Sequence, residues 1–359
     1  MRIGIAGAGL LGRLLALQLS RAGQEVHVFD PACDAQARVA AGWTAAGMLS
    51  PVTELECADL RVFGLGLRSL TLWPALVAGL AQPVELRRTG TLLLAHRGDE
   101  GSARRTLDLL AGKAPAGFAP EVLSAERMRE LEPAVRGPAH AWWLAGEASI
   151  HTVQAMQALA ADCDGVRWHW ATPVARVDAR SLDGRPFDWV FDARGTGARP
   201  QLPVRGVRGE IFWLHAPGVA LQRPLRLLHP RHRVYIVPRA GDIVVVGASE
   251  IESEDRSPVS VRTTVELLAA AHSVVPELAE ARVVHSESNL RPALPDNLPL
   301  LETSPGLTRI NGLFRHGWLI APALVEDALE HLRRHAGLGS ASTSARHDGL
   351  RVEPATTAR

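Results

Sequence analysis

The chain has 359 residues, of which 47% are hydrophobic, and its formal net charge is +1. This length is sufficient for two lobes or for one large domain with an insertion, and the composition is typical of a soluble globular protein. The charge is near zero and no basic stripe is present, so nucleic-acid binding is not expected, and no apolar stretch approaches the roughly 18 residues that span a bilayer.

The cysteine content indicates the redox setting. Cys33, Cys57 and Cys163 are far apart in the sequence and form no C-x-x-C motif. This pattern argues against a disulfide framework and against a zinc site, so we expect no metal and a reducing, cytoplasmic location.

The first thirty residues carry the most specific pattern in the chain. An apolar strand over 3–6 is followed by Gly7, Gly9 and Gly12 in the spacing G-x-G-x-x-G, by a helix, and by a second apolar strand that ends at Asp30. In such a unit the glycines permit the tight turn, the approach of a pyrophosphate and the packing of helix on strand, while the acid accepts from a ribose hydroxyl. The N-terminus of the helix attracts the phosphates. The pattern therefore predicts dinucleotide binding.

The same segment has a competing interpretation as a secretory signal. The uncharged run over 3–12 is short, because Arg13 ends it where the centre of a leader's apolar region would lie, and the leucines that follow continue a helix that ends at Gly23. We therefore favour a folded nucleotide-binding unit over a cleaved leader.

Periodicity and turn residues predict the later elements. Helices are predicted over 60–80, where the helix is expected to cover the site, and over 152–161, 261–275 and 323–336. Strands or extended segments are predicted over 84–94, 139–144, 166–177, 189–193, 233–238 and 243–247. The last two strands are predicted to form a hairpin through Gly241 and Asp242.

A second strand-to-glycine turn near residues 187–197 indicates a discontinuous nucleotide-binding domain. Because nicotinamide enzymes more often keep this unit contiguous, the split favours a flavin. The predicted fold class is α/β, with a Rossmann-like flavin-binding domain and a second, mixed-sheet α+β domain. The expected segments are 1–80, 145–205 and 285–336 for the flavin-binding domain, 81–144 and 206–284 for the second domain, and 337–359 for a disordered tail.

Residues 42–51 form a run of small residues after the second strand. Read from the residues alone, the run has two interpretations, a helix start capped by Thr44 or a loop that lies against a cofactor. The capped helix start is favoured.

At this point the chain resembles the glycine oxidases of the D-amino-acid oxidase group, whose N-terminal signature combines the G-x-G-x-x-G unit with A-A-G-M-L, here at 45–49. Three further motifs follow in the family's order: V-Y-I-V-P-R at 234–239 with V-V-V-G-A-S at 244–249, L-R-P-A-L-P-D at 290–296, and G-L-F-R-H-G-W-L-I-A-P at 312–322. The resemblance extends from Met1 to about His331.

This resemblance implies non-covalently bound FAD and a set of residues around it. The nucleotide end would contact Leu10 and Leu11 through backbone, Asp30 through the ribose and Val174 through its main chain. The expected cofactor-binding residues are Gly7, Gly9, Leu10, Leu11, Gly12, Asp30, Thr44, Ala46, Gly47, Met48, Val174, Leu313, Phe314, Arg315, His316, Gly317, Trp318 and Leu319. His316 is interpreted as cofactor packing rather than as a catalytic base.

The resemblance also implies that Arg291 holds the substrate carboxylate, that Tyr235 donates to it, and that Arg315 lies at the mouth of the site. Arginine suits this task because its planar fork binds a carboxylate bidentately. Tyr235 is the only tyrosine in the chain. The competing interpretation is structural ion pairing of the two arginines with Asp296 or Asp327.

Two departures from the family pattern concern the substrate pocket. Glu250 stands where an apolar residue is usual, and Arg233 stands where glycine oxidases can place a histidine. Either the two pair at the pocket edge, which we favour, or Glu250 faces a substrate with an extra charge. Trp43 is also bulkier than the serine expected at its position.

The resemblance implies oxidative deamination of glycine, sarcosine or a D-amino acid. The Cα hydride of a neutral amine passes to flavin N5, and oxygen is reduced to hydrogen peroxide, in a role that would suit thiamine biosynthesis. One alternative is a flavin dehydrogenase or oxidase acting on another N-substituted or charged amino acid with a non-oxygen acceptor. A second is a non-catalytic flavin subunit of a larger complex. The sequence leaves open whether the protein is a homo-oligomer.

Overall fold

The computed structural model describes residues 1–231 and 233–335. The predicted tail at 337–359 and the last residue of the predicted helix 323–336 lie outside the described residues. The α-helices of the described part are α1 (Leu10–Arg21), α2 (Ala41–Thr44), α3 (Pro51–Glu54), α4 (Leu60–Ala78), α5 (Glu100–Lys113), α6 (Ala125–Leu131), α7 (Thr152–Ala161), α8 (Val261–Val274) and α9 (Gly317–His335). Short 3-10 helices span Arg97–Asp99, Gly195–Ala198 and Pro276–Glu280.

The strands of the same residues belong to two large and two small sheets. They are β1 (Arg2–Ala6), β2 (Glu25–Phe29), β3 (Met48–Leu49), β4 (Leu86–Arg87), β5 (Thr91–Ala95), β6 (Glu121–Leu123), β7 (His140–Leu144), β8 (Ala148–Ile150), β9 (Arg167–His169), β10 (Val177–Asp178), β11 (Ser181–Leu182), β12 (Arg185–Pro186), β13 (Trp189–Asp192), β14 (Arg205–His215), β15 (Leu225–Leu228), β16 (Arg233–Arg239), β17 (Ile243–Gly247), β18 (Arg282–Ala293), β19 (Leu300–Ser304) and β20 (Leu307–Asn311).

The first large sheet has the order β19-β20-β13-β1-β2-β9 and is parallel except for the edge pair β19–β20. Its central strands are apolar and buried, as expected for parallel strands that are covered on both faces. Helices α1, α7 and α9 contribute to the main core beside it. The predicted β-α-β start is therefore confirmed, and the carboxyl ends of β1 and β2 lie next to each other.

The second large sheet has the order β18-β14-β17-β16-β15-β5-β7-β6. It is antiparallel apart from the parallel pair β15–β5. The predicted hairpin is confirmed as β16–β17, and its turn has φ of +75° at Gly241 and +57° at Asp242. Positive φ at both positions is the geometry that a tight hairpin requires. The α/β class with a mixed second sheet thus agrees with the prediction.

Each large sheet takes strands from separate parts of the chain. The parallel sheet uses strands from residues 2–29, 167–192 and 300–311, whereas the second sheet uses strands between residues 91 and 293. Strand β18 crosses the predicted domain boundary at residue 285 and pairs with β14 along its length. The assignment of domains remains a prediction, with β18 belonging to the second sheet.

Helix α9 begins at Gly317, six residues before the predicted start at 323. Pro322 lies inside this helix and has no N–H to donate to the carbonyl of Trp318. In the structure, the carbonyl of Trp318, four residues earlier, accepts from the indole Nε1 of Trp73 at 2.9 Å. A donor from α4 thus replaces the missing one, and the helix continues through the proline.

Three other predictions need correction. The segment 84–94 divides into β4 and β5 around Gly90, whose φ is +73°. The segment 166–177 is strand only at its two ends, in β9 and the start of β10. Thr44 ends helix α2 instead of capping a helix start, so the favoured interpretation of 42–51 is wrong.

Helix α4 confirms the predicted helix over 60–80 but does not cover the site. Its buried face includes Leu70 and Trp73, and the Trp73 ring stacks on Trp318 of α9. By length and composition, α4 is the one helix of the described residues that would be able to cross a membrane, which the sequence analysis did not anticipate. Its exposed polar positions Arg61 and Thr71 suit a helix that packs one face on the core, and the absence of a membrane partner remains a prediction.

Candidate active site

A cavity of about 470 Å³ runs from the ends of β1 and β2 to the inner face of the second large sheet. Most predicted site residues line it: Gly7, Gly9, Leu10, Leu11, Asp30, Thr44, Ala46, Gly47, Met48, Val174, Arg233, Tyr235, Glu250, Arg291, Leu313, Phe314, Arg315, Gly317, Trp318 and Leu319. Gly12 and His316 lie behind the lining. The structure therefore brings together residues from five distant parts of the sequence.

The glycine turn leaves the first helix open towards the cavity. Gly7 has φ of +101°, and a Cβ at Gly12 would lie 1.8 Å from the Gly7 carbonyl oxygen, so neither position accepts a side chain. Gly9 precedes α1, and no side chain caps the first backbone N–H groups of the helix. Unpaired N–H groups at a helix N-terminus form a site for phosphate.

Asp30 is fixed at this end by the backbone. One carboxylate oxygen accepts from Ala8 N at 2.5 Å, and the other accepts from Ala32 N at 2.8 Å. Each carboxylate oxygen can accept more than one hydrogen bond, so both retain capacity for a ribose hydroxyl. Val174 lies nearby, and its carbonyl oxygen accepts from the guanidinium of Arg194 at 2.9 Å.

The loop before β3 is held rigidly at the middle of the cavity. Gly47 has φ of +71°, and a Cβ there would lie 2.1 Å from the Ile150 carbonyl oxygen. The carbonyl oxygen of Gly47 accepts from Ile150 N at 2.8 Å, and that of Ala46 accepts from the buried Arg239. Burial lowers the pKa of Arg239 to about 10, so this donor keeps its charge at neutral pH. The loop can therefore present backbone to a planar ligand.

The start of α9 forms the wall opposite this loop. Phe314 has φ of +46°, and its N–H donates to the Pro292 carbonyl oxygen at 2.8 Å. The indole Nε1 of Trp318 donates to the Gly42 carbonyl oxygen at 3.0 Å and so connects the two walls. The first turn of the helix, from Gly317, points its N-terminal end to the same region of the cavity as the loop.

Arg291 holds a guanidinium without a carboxylate partner at the far end. Its Nη1 donates to the carbonyl oxygens of Ser249 at 3.0 Å and Arg208 at 3.4 Å, and no ion pair joins it to a carboxylate among residues 1–231 and 233–335. Burial lowers its pKa, while nearby Tyr235 opposes that change. Asp296 instead accepts from Leu298 N at 3.0 Å, so the predicted alternative of an Arg291–Asp296 pair is wrong.

Arg315, by contrast, is strongly paired. Its Nε lies 3.0 Å from Glu54, which also lies 2.7 Å from His316 Nδ1, and its Nη1 lies 3.3 Å from Glu250. Burial favours a neutral Glu54, but Arg315 and then His316 outweigh it and hold the pKa of Glu54 well below its usual range. Asp327, the partner named in the competing interpretation, pairs with Arg68. Arg315 does form ion pairs, but its partners are Glu54 and Glu250.

The predicted Arg233–Glu250 pair is present, with 3.3 Å between Nη1 and Oε1. Both side chains are partly exposed, at 43% and 36%, and both also line the cavity. Arg233 additionally lies 3.2 Å from Glu56, which pairs with the buried Arg226. We call the alternating series Arg226, Glu56, Arg233, Glu250, Arg315 and Glu54 the rim ladder.

Tyr235 lies between the rim ladder and Arg291. Burial raises the pKa of its hydroxyl, although the nearby Arg291 and Arg315 act in the opposite direction. The phenol is therefore protonated at neutral pH and can donate a hydrogen bond.

Sequence reasoning missed several residues of this end. Glu54 and Glu56 lie a few residues after the small-residue loop at 42–51. The sequence did carry a signal for Glu54, which is the acidic residue of the short helix that begins at Pro51. Arg226 had no local signal, since its role depends on Glu56, 170 residues away. Trp43 is buried behind the cavity, with the Arg13 guanidinium 5.2 Å from its ring centroid, which explains a large side chain at that position.

Residues 2–328 match the family described as FAD dependent oxidoreductase, DAO. The chain belongs to this family of FAD-dependent oxidoreductases. It is 37% identical over 339 residues to the ThiO oxidoreductase assigned to thiamine biosynthesis in Rhizobium etli, covering 94% of this chain and 98% of that one. It is 28% identical over 358 residues to a glycine oxidase of Geobacillus kaustophilus, covering 91% and 92%.

The fold comparison agrees. The crystal structure of glycine oxidase from Geobacillus kaustophilus matches with a TM-score of 0.81 and 26% identity, covering 96% of each chain. The protein is thus an enzyme of the glycine oxidase and ThiO type.

The residues present fit FAD. The uncapped N-terminus of α1 and the turn at Gly7 supply N–H groups and space for a pyrophosphate, and Asp30 supplies the acceptor for a ribose. The Ala46–Met48 loop and the first turn of α9 line the cavity beyond it, where a flat ring can lie against backbone.

Proposed function

We propose that this enzyme oxidises a small amino acid, glycine, sarcosine or a D-amino acid, to its imine. The observation that most directly supports this proposal concerns Arg291. Its guanidinium lines the cavity and has only carbonyl oxygens as hydrogen-bond partners among the described residues. Arg291 is partly buried in the cavity wall, where a charge without a counterion is unfavourable, so an anionic ligand is the expected partner.

The charges at this end support a substrate with one carboxylate. In the rim ladder three arginines alternate with three glutamates, so these six charges balance. Arg291 has no carboxylate partner of this kind among the described residues, and a monocarboxylate would neutralise it. A fork of two N–H donors would hold that carboxylate in a fixed plane.

The chain's own residues would orient the substrate. Arg291 binds the carboxylate, the Tyr235 hydroxyl donates to it, and Arg315 closes the mouth while Glu54 keeps it in place. Bound FAD would accept the Cα hydride and pass electrons to oxygen, giving hydrogen peroxide. The protein contributes orientation, and no side chain is required as a base when the amine binds in its neutral form.

For the cofactor, we propose that Leu10 and Leu11 bind the pyrophosphate through backbone, that Asp30 binds the ribose and that Val174 lies beside the adenine. The ring would lie between Gly47 and the start of α9. The likeness to the Rhizobium etli ThiO supports a role in thiamine biosynthesis. We propose that the enzyme acts in the cytoplasm and that the imine is its product.

A second candidate is oxidation of an N-substituted or charged amino acid, with an acceptor other than oxygen. The observation that favours it is Glu250, which lines the cavity although it is also paired with Arg233 and Arg315. A cationic or N-extended amine would meet this carboxylate. A non-catalytic flavin subunit is disfavoured, because such a subunit would not need Arg291 and Tyr235 at one cavity end.

Anaerobic reduction of the flavin tests the proposal and separates the candidates. The purified yellow protein is mixed with glycine, sarcosine, a panel of D-amino acids and N-extended amines, and bleaching is followed before oxygen is admitted and peroxide is measured. We expect bleaching by small amino acids and peroxide afterwards. Bleaching without peroxide would indicate a different acceptor, and no bleaching by any amino acid would contradict the proposal.

Substitution of the proposed carboxylate clamp gives a second test. Arg291→Lys keeps the charge but loses the planar fork, so KM should rise roughly tenfold or more. The control is Arg127→Lys, which changes an arginine that is 53% exposed on α6. Equal KM values in the two variants would remove Arg291 from substrate binding.

A further inference from the structure

Two glycines lie side by side on the cavity face of the second large sheet. Gly209 lies in β14. Gly247 lies at the end of β17 and pairs with Ile211, which follows Gly209 by two residues in β14. On the outer sides, Asn289 of β18 pairs with Gly209, and Tyr235 of β16 pairs with Gly247. Because side chains alternate between faces, these positions share the face that carries Arg291 and Tyr235.

The guanidinium of Arg291 occupies the space that a side chain at Gly209 would take. An ideal Cβ at Gly209 would lie 2.4 Å from Nη2, 2.5 Å from Cζ and 2.6 Å from Nη1 of Arg291. These distances are far below any normal carbon contact. Strand β14 is paired on both sides, so the long side chain of Arg291 must move, and its bond to Ser249 would be lost.

Gly247 stands in the same relation to Tyr235. A Cβ there would lie 2.7 Å from the Tyr235 hydroxyl oxygen and 2.8 Å from Cε2 of the same ring. It would also lie 2.8 Å from Cγ2 of Ile211. The two side chains thus lean from the outer strands over the two glycines of the central strands, next to the side chain of Ile211.

Backbone conformation does not explain the first of these glycines. Gly209 is absent from the glycines with positive φ, and it lies within a regular strand. Glycine inside a strand is less favourable than alanine, because it loses more conformational freedom on folding. Space for the neighbouring guanidinium is therefore the requirement that the structure identifies at this position.

We infer that Gly209 and Gly247 are positioning residues that set where the Arg291 guanidinium and the Tyr235 hydroxyl meet the substrate carboxylate. The glycines act through these two side chains. The inference rests on the proposed function, since it requires that Arg291 and Tyr235 bind the substrate.

The test measures carboxylate binding, not turnover. Glycolate, which has the carboxylate but no amine, is titrated into the FAD-loaded enzyme, and its Kd is obtained by calorimetry and from the flavin spectrum. The proteins are the parent, Gly209→Ala, Arg291→Met and the double variant. Gly209→Ala should raise Kd roughly tenfold or more, because a shift of about 1 Å in a positioned group has large effects. In the Arg291→Met background, Gly209→Ala should alter Kd by less than about twofold, because the guanidinium that the new methyl group would displace is absent.

The control is Gly146→Ala, since a Cβ at Gly146 would meet nothing within 4 Å. Gly247→Ala provides a second variant, and it should weaken glycolate binding in the parent but have little effect beside Tyr235→Phe. FAD content and melting temperature are measured for every protein.

The outcomes separate this inference from the proposed function. If Arg291→Met binds glycolate much more weakly than the parent, but Gly209→Ala binds it like the parent, the inference alone is overturned. An equal loss in both backgrounds would mean that the methyl group blocks the pocket directly, which also overturns it. A Gly209→Ala protein that cannot retain FAD would give the glycine a role in folding, against the inference. If the parent binds no glycolate and oxidises no amino acid, both proposals are wrong.

Discussion

Glu54→Gln is the change that most directly tests the electrostatics of the cavity end. The carboxylate of Glu54 lies 3.0 Å from Arg315 and 2.7 Å from His316, and both it and Arg315 are largely buried, with side-chain exposures of 13% and 16%. Glutamine has nearly the same shape, so the substitution removes the charge and leaves the packing. Arg315 then retains only the partly exposed Glu250 as a counterion.

The expected cost follows from this burial. Removing one partner of a buried ion pair costs about 3–5 kcal/mol, because the other charge remains without compensation. Glu250 offsets part of the loss, so we expect about 2–4 kcal/mol. Because the pKa of folded Glu54 lies below its ordinary value of 4.5, this contribution is present above that pH and disappears only as the pH falls through the folded pKa. The difference between parent and variant should therefore persist from pH 5 to pH 8.

Thermal and urea unfolding of the FAD-loaded proteins measure this difference. The matched control is Glu130→Gln, which removes one partner of an exposed pair with Arg127 and should cost about 0.5 kcal/mol or less. The reasoning would be refuted if Glu54→Gln were no less stable than Glu130→Gln at pH 7. A difference that vanished between pH 5 and pH 8 would also contradict the depressed pKa.

Three further predictions follow from the same structure. Asp30→Ala should weaken FAD binding by about 1.5–3 kcal/mol, as expected for a lost charged hydrogen bond, and an unchanged affinity in fluorescence titration would remove Asp30 from the ribose site. Glu250→Met should change the free energy of unfolding by no more than about 1 kcal/mol, because the pair of Glu250 with Arg233 is partly exposed. A marked loss of melting temperature would contradict this expectation. If the same variant prefers cationic amines less than the parent does in the anaerobic assay, the second candidate function is favoured. Burial raises the pKa of Glu147 from 4.5 to about 7, so the folded state binds the extra proton and the protein loses stability as the pH rises through this window, by about 3 kcal/mol for a shift of this size. Glu147→Gln should abolish that loss, and equal melting-temperature decreases from pH 5 to pH 8 in parent and variant would refute it.

Residues 1–30, the family motifs and the β16–β17 hairpin could be predicted because their signals are local. The turn at Gly7 and the uncapped start of α1 depend only on residues that are close together in the sequence. The hairpin likewise depends on two adjacent residues, Gly241 and Asp242, which adopt positive φ. Helix α7 was predicted with its correct bounds for the same reason, since it contains no proline or glycine and follows the residue that caps it. The sequence by itself therefore determined the class of fold, the nucleotide-binding unit and the family.

Tertiary structure alone decided the start of α9 and the partners of the site arginines. The helix continues through Pro322 because the indole of Trp73 reaches the Trp318 carbonyl from 245 residues away. Asp327 was a partner of Arg315 only in the competing interpretation, and in the structure Arg315 meets Glu54 across 261 residues, while Arg291 has no carboxylate partner among the described residues. No local pattern carries this information, because the energy of a buried charge depends on which groups the folded chain places within a few ångströms of it.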